Sequence, residues 1–167
     1  MENDNIILIG MPASGKSTVG VILAKIIGYQ FMDSDLVIQE QEGRKLHEII
    51  TEDGIEGFLT LEEQINAKIE AEHTVIATGG SVIYGKLAME HFKKIGTIVY
   101  LQVEYEELMN RLHNIRQRGV VVRPGQTMED LYQERSALYS QYADIVIQEK
   151  NGTPEQVIAE IISEMKI

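Results

Sequence analysis

Three observations predict a single three-layer α/β domain: a parallel sheet covered by helices on both faces. Short apolar runs alternate with longer amphipathic stretches along the chain, an order that requires right-handed crossover connections. The first run ends in a glycine-bounded loop, Gly10-Met-Pro-Ala-Ser-Gly15-Lys16-Ser17, that opens directly into a helical pattern. The chain has 167 residues, 44% of them hydrophobic, which suffices for one proper core, and no linker, repeat or low-complexity segment divides it.

Taken in order, Ile6, Ile7, Leu8 and Ile9 read as a buried first strand. Val19, Ile22, Leu23, Ile26 and Ile27 recur at helical spacing behind the loop, and Gly28 is placed to cap that helix. Tyr29 to Met32 forms a short second strand running into Asp33-Ser34-Asp35. The spacing predicts a helical region from Leu36 to about Thr51, interrupted near Gly43, and a longer helix from about Gly54 to Glu70. His73 to Thr78 is the third strand, ending at Gly79-Gly80-Ser81, and a helix around Tyr84 to Lys94 leads to a fourth strand, Thr97 to Leu101. Glu104 to about Leu112 is helical, Arg116 to Gly125 is a loop, Thr127 to Tyr142 is helical, and Asp144 to Ile147 is the fifth strand. Thr153-Pro154-Glu155-Gln156 opens the last helix with a capping residue and a proline in its first turn.

Composition excludes several classes of function. The net charge is −11, from 15 basic and 26 acidic residues, so the surface repels a nucleic-acid backbone and no basic run offsets this. There is no cysteine, which removes disulfides, thiolate metal sites and cysteine catalysis. The polar start, Met1-Glu-Asn-Asp-Asn5, does not read as a signal peptide, and no apolar run approaches membrane-spanning length. A soluble cytoplasmic protein without nucleic-acid or membrane partners is the expectation.

The loop carries the first chemistry. Its glycines allow backbone angles that let successive N–H groups wrap an anion, and the following helix aims its positive dipole end at the same place. Lys16 adds a full charge near the outer phosphates, and the Ser17 hydroxyl is placed to ligate magnesium. The chain is therefore expected to bind a nucleoside triphosphate. In such folds ligands sit beyond the carboxyl ends of the strands, where the turns at Asp33 and Gly79 and the segment after Leu101 should converge with the loop.

Other constellations gain meaning from that neighbour. Asp33 and Asp35 stand two apart at a strand end and point to the same side if the chain is still extended there. In isolation they would be a solubilising turn; beside a bound triphosphate they suit a shared cation or a base. Glu62 falls on a stripe with Ile55, Phe58, Ile65 and Ile69, and Arg135 on one with Leu131, Leu138 and Tyr142. A charge on a buried face needs a partner or a polar ligand, whereas at a stripe's edge it simply reaches water. The loop from Arg116 to Gly125 holds three arginines in ten residues, suited to cover a transferring phosphoryl group, and spacing does not say which one acts. The four histidines and seven methionines fall in no ligand or recognition pattern.

Together these residues resemble the shikimate kinase family over nearly the whole chain. The resemblance rests on the ordered set Gly-Met-Pro-Ala-Ser-Gly-Lys-Ser-Thr, Asp33-Ser34-Asp35, Asp53-Gly54 ahead of Phe58 and Leu61-Glu62-Glu63, and Gly79-Gly80. It continues in Asn110-Arg111-Leu112 and in Glu134-Arg135-Ser-Ala-Leu-Tyr139 leading to Tyr142-Ala-Asp144. It implies a five-stranded parallel sheet of nucleoside monophosphate kinase type, with a substrate-binding subdomain over about residues 34–70 and a lid over about 114–126. It also implies ATP and Mg2+ and transfer of the terminal phosphoryl group to a ring hydroxyl of shikimate; a monomer is the separate expectation. By position, Gly10, Ala13, Ser14, Gly15, Lys16, Ser17 and Thr18 would hold the nucleotide's phosphates, with Arg111 over the adenine and Pro154 on its other side. Ser17 and Asp33 would hold magnesium, the latter through water. Asp35 would bind the acceptor hydroxyl as base or orienter, Gly79 and Gly80 would bring backbone against the substrate, and Arg135 would pair with its carboxylate. Arg118 is the candidate lid arginine.

Three positions depart from the family pattern. Leu59 stands where an arginine that clamps the substrate carboxylate is usual, Ser81 replaces a third glycine, and the lid reads Arg118-Gly-Val-Val rather than Arg-Pro-Leu-Leu. Losing one charged hydrogen-bonding partner should weaken carboxylate binding by about 1.5–3 kcal/mol, which leaves another small polyhydroxylated acceptor or a nucleoside open. Arg44 or Lys45 could compensate. A non-catalytic nucleotide switch is the alternative of another class. It lacks the Asn-Lys-x-Asp element of a guanine-nucleotide switch, and an inactive kinase would be expected to lose Lys16, Ser17 or one of the aspartates.

Overall fold

The computed structural model describes residues 4–113, 120–150 and 152–167. Its first half runs β1 (Asn5–Ile9), α1 (Lys16–Ile27), β2 (Gln30–Asp33), α2 (Ser34–Glu42), α3 (Leu46–Asn66) and β3 (Thr74–Ala77). After a single 3-10 turn (Val82–Tyr84) come α4 (Lys86–Ile95), β4 (Gly96–Val103), α5 (Tyr105–His113), α6 (Met128–Tyr142), β5 (Ile145–Glu149) and α7 (Pro154–Met165). The strands form one parallel sheet in the order β2-β3-β1-β4-β5. The expected α/β architecture with five parallel strands is present.

β1 lies at the centre of the sheet and is buried along its whole length, which its unbroken apolar run anticipates. Its residues alternate between two cores, as the strand period of two requires. Ile6 and Leu8 pack with Val19 and Leu23 of α1 and with Val157 and Ile161 of α7. Ile7 and Ile9 pack with Met89 and Phe92 of α4 and with Leu131 and Tyr139 of α6. Helices thus cover both faces. At the amino end of the sheet the buried Asn5 amide donates to the carbonyls of Ala71 (2.7 Å) and Ile95 (2.8 Å) and accepts from Thr74 N–H (3.0 Å). That amide ties β1 to the start of β3 and to the end of α4 just ahead of β4, at the end away from the loop.

A third apolar cluster stands apart from the sheet. Ile38 of α2, Ile49, Phe58 and Ile65 of α3, and Val121 form it, with Leu59 partly buried against them.

Some boundaries differ from the sequence reading. α2 ends at Glu42 because Gly43 adopts a left-handed cap (φ 64°). α3 then begins at Leu46 and passes through Gly54, whose φ of 76° and ψ of 173° kink the helix instead of starting it, and ends at Asn66 rather than near Glu70. Asp33 is the last residue of β2 and caps α2, its carboxylate accepting from Asp35 N–H at 3.0 Å. The chain is therefore already helical at Asp35. The two carboxylates share a side because of the cap geometry, not because the strand continues.

Candidate active site

The turn after β1 is built on unusual backbone. Gly10 has φ 151°, Ala13 66° and Gly15 90°, all outside the range favoured by L side chains. A Cβ on Gly10 would come within 2.7 Å of the Leu101 carbonyl, so only glycine fits there. Ser14 N–H closes the turn on the Met11 carbonyl at 3.1 Å. Gly15 caps α1 without a side-chain hydrogen bond, and the first turn of α1 carries no acidic residue. The helix's leading N–H groups are thus open to an anion, and nothing lies within 4 Å of where a Gly15 Cβ would stand. Lys16 folds back over the loop, its Nζ donating to the carbonyls of Gly10 and Met11, each at 2.8 Å. Loop and helix together fit a polyphosphate.

This cradle forms one wall of a cleft of about 320 Å³. Ala13, Gly15, Lys16 and Ser17 line it on one side, Asp33 and Asp35 on another, and Thr78, Gly79 and Gly80 at the end of β3. Ser17 Oγ donates to Asp33 Oδ2 at 3.4 Å. Among the described residues no cluster of three or more His, Asp or Glu side chains could hold a metal by itself. Gly10 and Ser14 are buried parts of the loop that do not line the cleft, and Thr18 is exposed on α1.

A smaller pocket adjoins the cleft and shares Pro12, Asp35, Leu46, Gly79 and Gly80 with it. Arg135 borders it and is 1% exposed. α6 places it there: a reciprocal Thr127–Asp130 capping box starts the helix, and Leu131 and Tyr139 press the same face onto the sheet. The guanidinium donates through Nη2 to the Val121 carbonyl at 2.9 Å and lies 5.5 Å from the centre of the Tyr84 ring.

The turn at Gly79-Gly80 is held tightly. A Cβ on Gly79 would come within 2.6 Å of Asp35 Oδ1 and 2.9 Å of Glu62 Oε2, and one on Gly80 within 2.9 Å of Arg135 Nη1. Tyr139 OH donates to the Gly80 carbonyl at 2.5 Å, and burial pushes this phenol above the usual tyrosine range. Glu62 is 2% exposed, so of its two readings the buried one holds. Ser81 Oγ donates to Glu62 Oε1 at 2.7 Å. Burial pushes the Glu62 carboxyl up to about 8; the Ser81 hydrogen bond opposes this, the Asp35 charge adds to it and Arg135 again opposes it.

Arg111 lies behind the loop, donating to Ala13 O at 3.2 Å and pairing with Glu107 and with Glu149 at the end of β5. Pro154 opens α7 shortly after that strand. Neither lines the cleft, and Arg118 lies outside the described residues. Arg44 is taken up by Glu42, Glu52 and Asp53 at 2.8–3.0 Å, whereas Lys45 does line the cleft. Sequence reasoning gave no role to Tyr139 or to the Ser81–Glu62 pair. The available signal for Tyr139 was its place one helical turn after Arg135.

Comparison with known proteins agrees with this geometry. A family model described as shikimate kinase matches residues 12–166. A shikimate kinase of Sulfurihydrogenibium sp. (strain YO3AOP1) is 37% identical over 163 residues, covering 97% of this chain and 98% of the relative. A structure of shikimate kinase from Acinetobacter baumannii in complex with shikimate superposes with a TM-score of 0.88 at 31% identity, covering 97% of this chain and 92% of that one. The Aquifex aeolicus shikimate kinase gives a TM-score of 0.80 at 33% identity, covering 97% and 96%. With the phosphate cradle, the paired aspartates and the double-glycine turn facing one cleft, and relatives matched from end to end, the chain belongs to the shikimate kinase family and is an ATP-dependent kinase.

Proposed function

We propose that this protein transfers the terminal phosphoryl group of ATP to a hydroxyl of shikimate. The observation that carries the reading is the convergence of the Lys16 loop, Asp35 and the Gly79-Gly80 turn on one cleft, beside a buried Arg135. The loop backbone and Lys16 bind the phosphates, and Arg111 and Pro154 flank the adenine. Ser17 and Asp33 would hold Mg2+, which would neutralise developing charge on the phosphoryl oxygens. Asp35 receives the acceptor hydroxyl and orients it or takes its proton, Gly79 and Gly80 allow close backbone approach, and Arg135 pairs with the acceptor's carboxylate. The segment over 34–70 forms the acceptor side of the cleft. The segment over 114–126 acts as a lid that excludes water and brings Arg118 to the phosphates. Catalysis is then in-line transfer governed by positioning and charge neutralisation. The protein works as a monomer in the cytoplasm; no helix among the described residues is long and apolar enough to cross a membrane.

One observation favours a second acceptor class. Leu59 packs into the apolar cluster of α2 and α3, and Arg44 is engaged elsewhere, so neither brings a second guanidinium to the acceptor. ADP release measured over a panel of shikimate, other polyhydroxylated acids, sugars and nucleosides separates the two. Rapid turnover with shikimate and slow hydrolysis without acceptor are expected. Turnover confined to another acceptor would remove the shikimate assignment, and no turnover with any acceptor would favour a binding protein.

A further inference from the structure

Among the described residues, Glu62 is the one buried carboxylate on the acceptor side of the cleft whose second oxygen has no partner. Its Oε1 accepts from Ser81, while Oε2 makes no hydrogen bond although it is fully buried and borders the pocket next to Gly79. Across the same pocket Arg135 leaves its Nε without a partner. An orphaned acidic oxygen and an orphaned guanidinium N–H on residues that line one pocket mark a place for a ligand group that accepts hydrogen bonds from two directions. A carboxylate does this, provided that the acid facing it carries a proton.

We propose that Glu62 is a specificity-determining residue that meets the acceptor's carboxylate as a neutral hydrogen-bond donor from Oε2, opposite Arg135, with Ser81 fixing its other oxygen. The inference rests on the acceptor reading above, since it needs an acceptor that bears a carboxylate. Among the described residues, the titratable or charged groups facing Glu62 are Asp35 on α2 and Arg135 on α6; the others lining this pocket are apolar, glycine or serine. Burial already favours the protonated acid, the Asp35 charge adds to this, and an incoming carboxylate favours it further by like-charge repulsion. Ser81 serves as the orienter. Its hydroxyl donates to Oε1, so the acidic proton resides on Oε2 and points into the pocket.

The test follows the acceptor KM from pH 6.5 to 9.5 with the full-length enzyme, shikimate and saturating Mg-ATP, in wild type, Glu62→Gln and Ser81→Ala. In the wild type, KM for shikimate should rise at least tenfold between pH 7 and 9.5, as the donor proton is lost with a midpoint near the Glu62 value of about 8. The KM for ATP should stay flat. Glu62→Gln keeps a donor that does not titrate, so its shikimate KM should lose the pH break. Ser81→Ala removes a bond that favours the ionised acid and should move the break to higher pH, which carries the test should Glu62→Gln fail to fold. A flat wild-type profile, a Glu62→Gln profile that keeps the break, or an equal break with the acceptor's hydroxymethyl analogue in place of the carboxylate would each overturn the inference. Absence of any shikimate turnover in the wild type would instead remove the acceptor reading, and this inference with it.

Discussion

Ser17, in the first turn of α1, stands one hydrogen bond from Asp33 at the end of β2, its Oγ donating to Oδ2 at 3.4 Å. Two elements distant in sequence thus present oxygen ligands at the mouth of the phosphate cradle. If Mg2+ binds there, Ser17→Ala and Asp33→Ala should each raise the magnesium concentration for half-maximal activity about 10–100-fold. Titration of MgCl2 at fixed ATP measures it; an unchanged requirement would place the cation elsewhere.

Asp35 faces the cleft from the first turn of α2, beside Gly79. Replacing it with Asn should lower turnover by about 10²–10⁴-fold with nucleotide affinity within about twofold of wild type. Steady-state kinetics and calorimetric ATP binding give the two numbers. Equal losses in both would assign Asp35 to the nucleotide side.

Gly79 has no room for a methyl group: a Cβ would stand 2.6 Å from Asp35 Oδ1 and 2.9 Å from Glu62 Oε2. Gly79→Ala should push both carboxylates aside. The expected result is a fall in kcat/KM for the acceptor of at least about tenfold, with a stability loss of about 1–3 kcal/mol from overpacking. Urea unfolding and acceptor kinetics on the same preparation separate the two effects.

The Tyr139–Gly80 hydrogen bond offers a milder test. Tyr139→Phe keeps the ring that packs on Tyr100 but leaves the Gly80 carbonyl without its donor. A loss of about 1 kcal/mol in stability is expected, together with a raised acceptor KM, since the turn it holds faces the substrate.

Glu62 makes stability depend on pH with a definite sign. Its value rises from an ordinary 4.5 to about 8 on folding, so the native state binds the proton more tightly than the unfolded chain. The stabilisation is therefore fully present below about pH 4.5 and lost as pH rises through about 8. Glu62→Gln should be near-neutral at pH 5 and more stable than wild type by about 2 kcal/mol or more at pH 9. Denaturant midpoints at the two pH values decide; a constant difference would mean that Glu62 does not titrate in this window.

The phosphate cradle was legible because its signal is local. Gly10, Gly15 and Lys16 lie within seven residues, and the apolar runs on either side show strand and helix by their own periodicity. Arg135 was legible as an anomaly, a charge on an apolar stripe. Glu62 showed the same anomaly but kept two readings, because a stripe does not say whether its edge faces water or another element. The Asp33–Asp35 relationship was legible only on the condition of an extended chain, which the structure does not meet, since Asp33 caps α2 and the chain is helical at Asp35.

From the sequence alone came the parallel α/β sheet, the anion cradle and the family resemblance, because residue period and glycine spacing act over a few neighbouring positions. Tertiary packing alone decided that Glu62 is sealed from solvent and grips Ser81, that Tyr139 holds the Gly80 carbonyl and that Val121 covers Arg135. It also decided that Arg44 spends its charge on three carboxylates away from the cleft. Those contacts join residues brought together only when the crossover helices close over the sheet, and burial, which sets both the cost and the proton affinity of a charge, belongs to that closure and not to any stretch of chain.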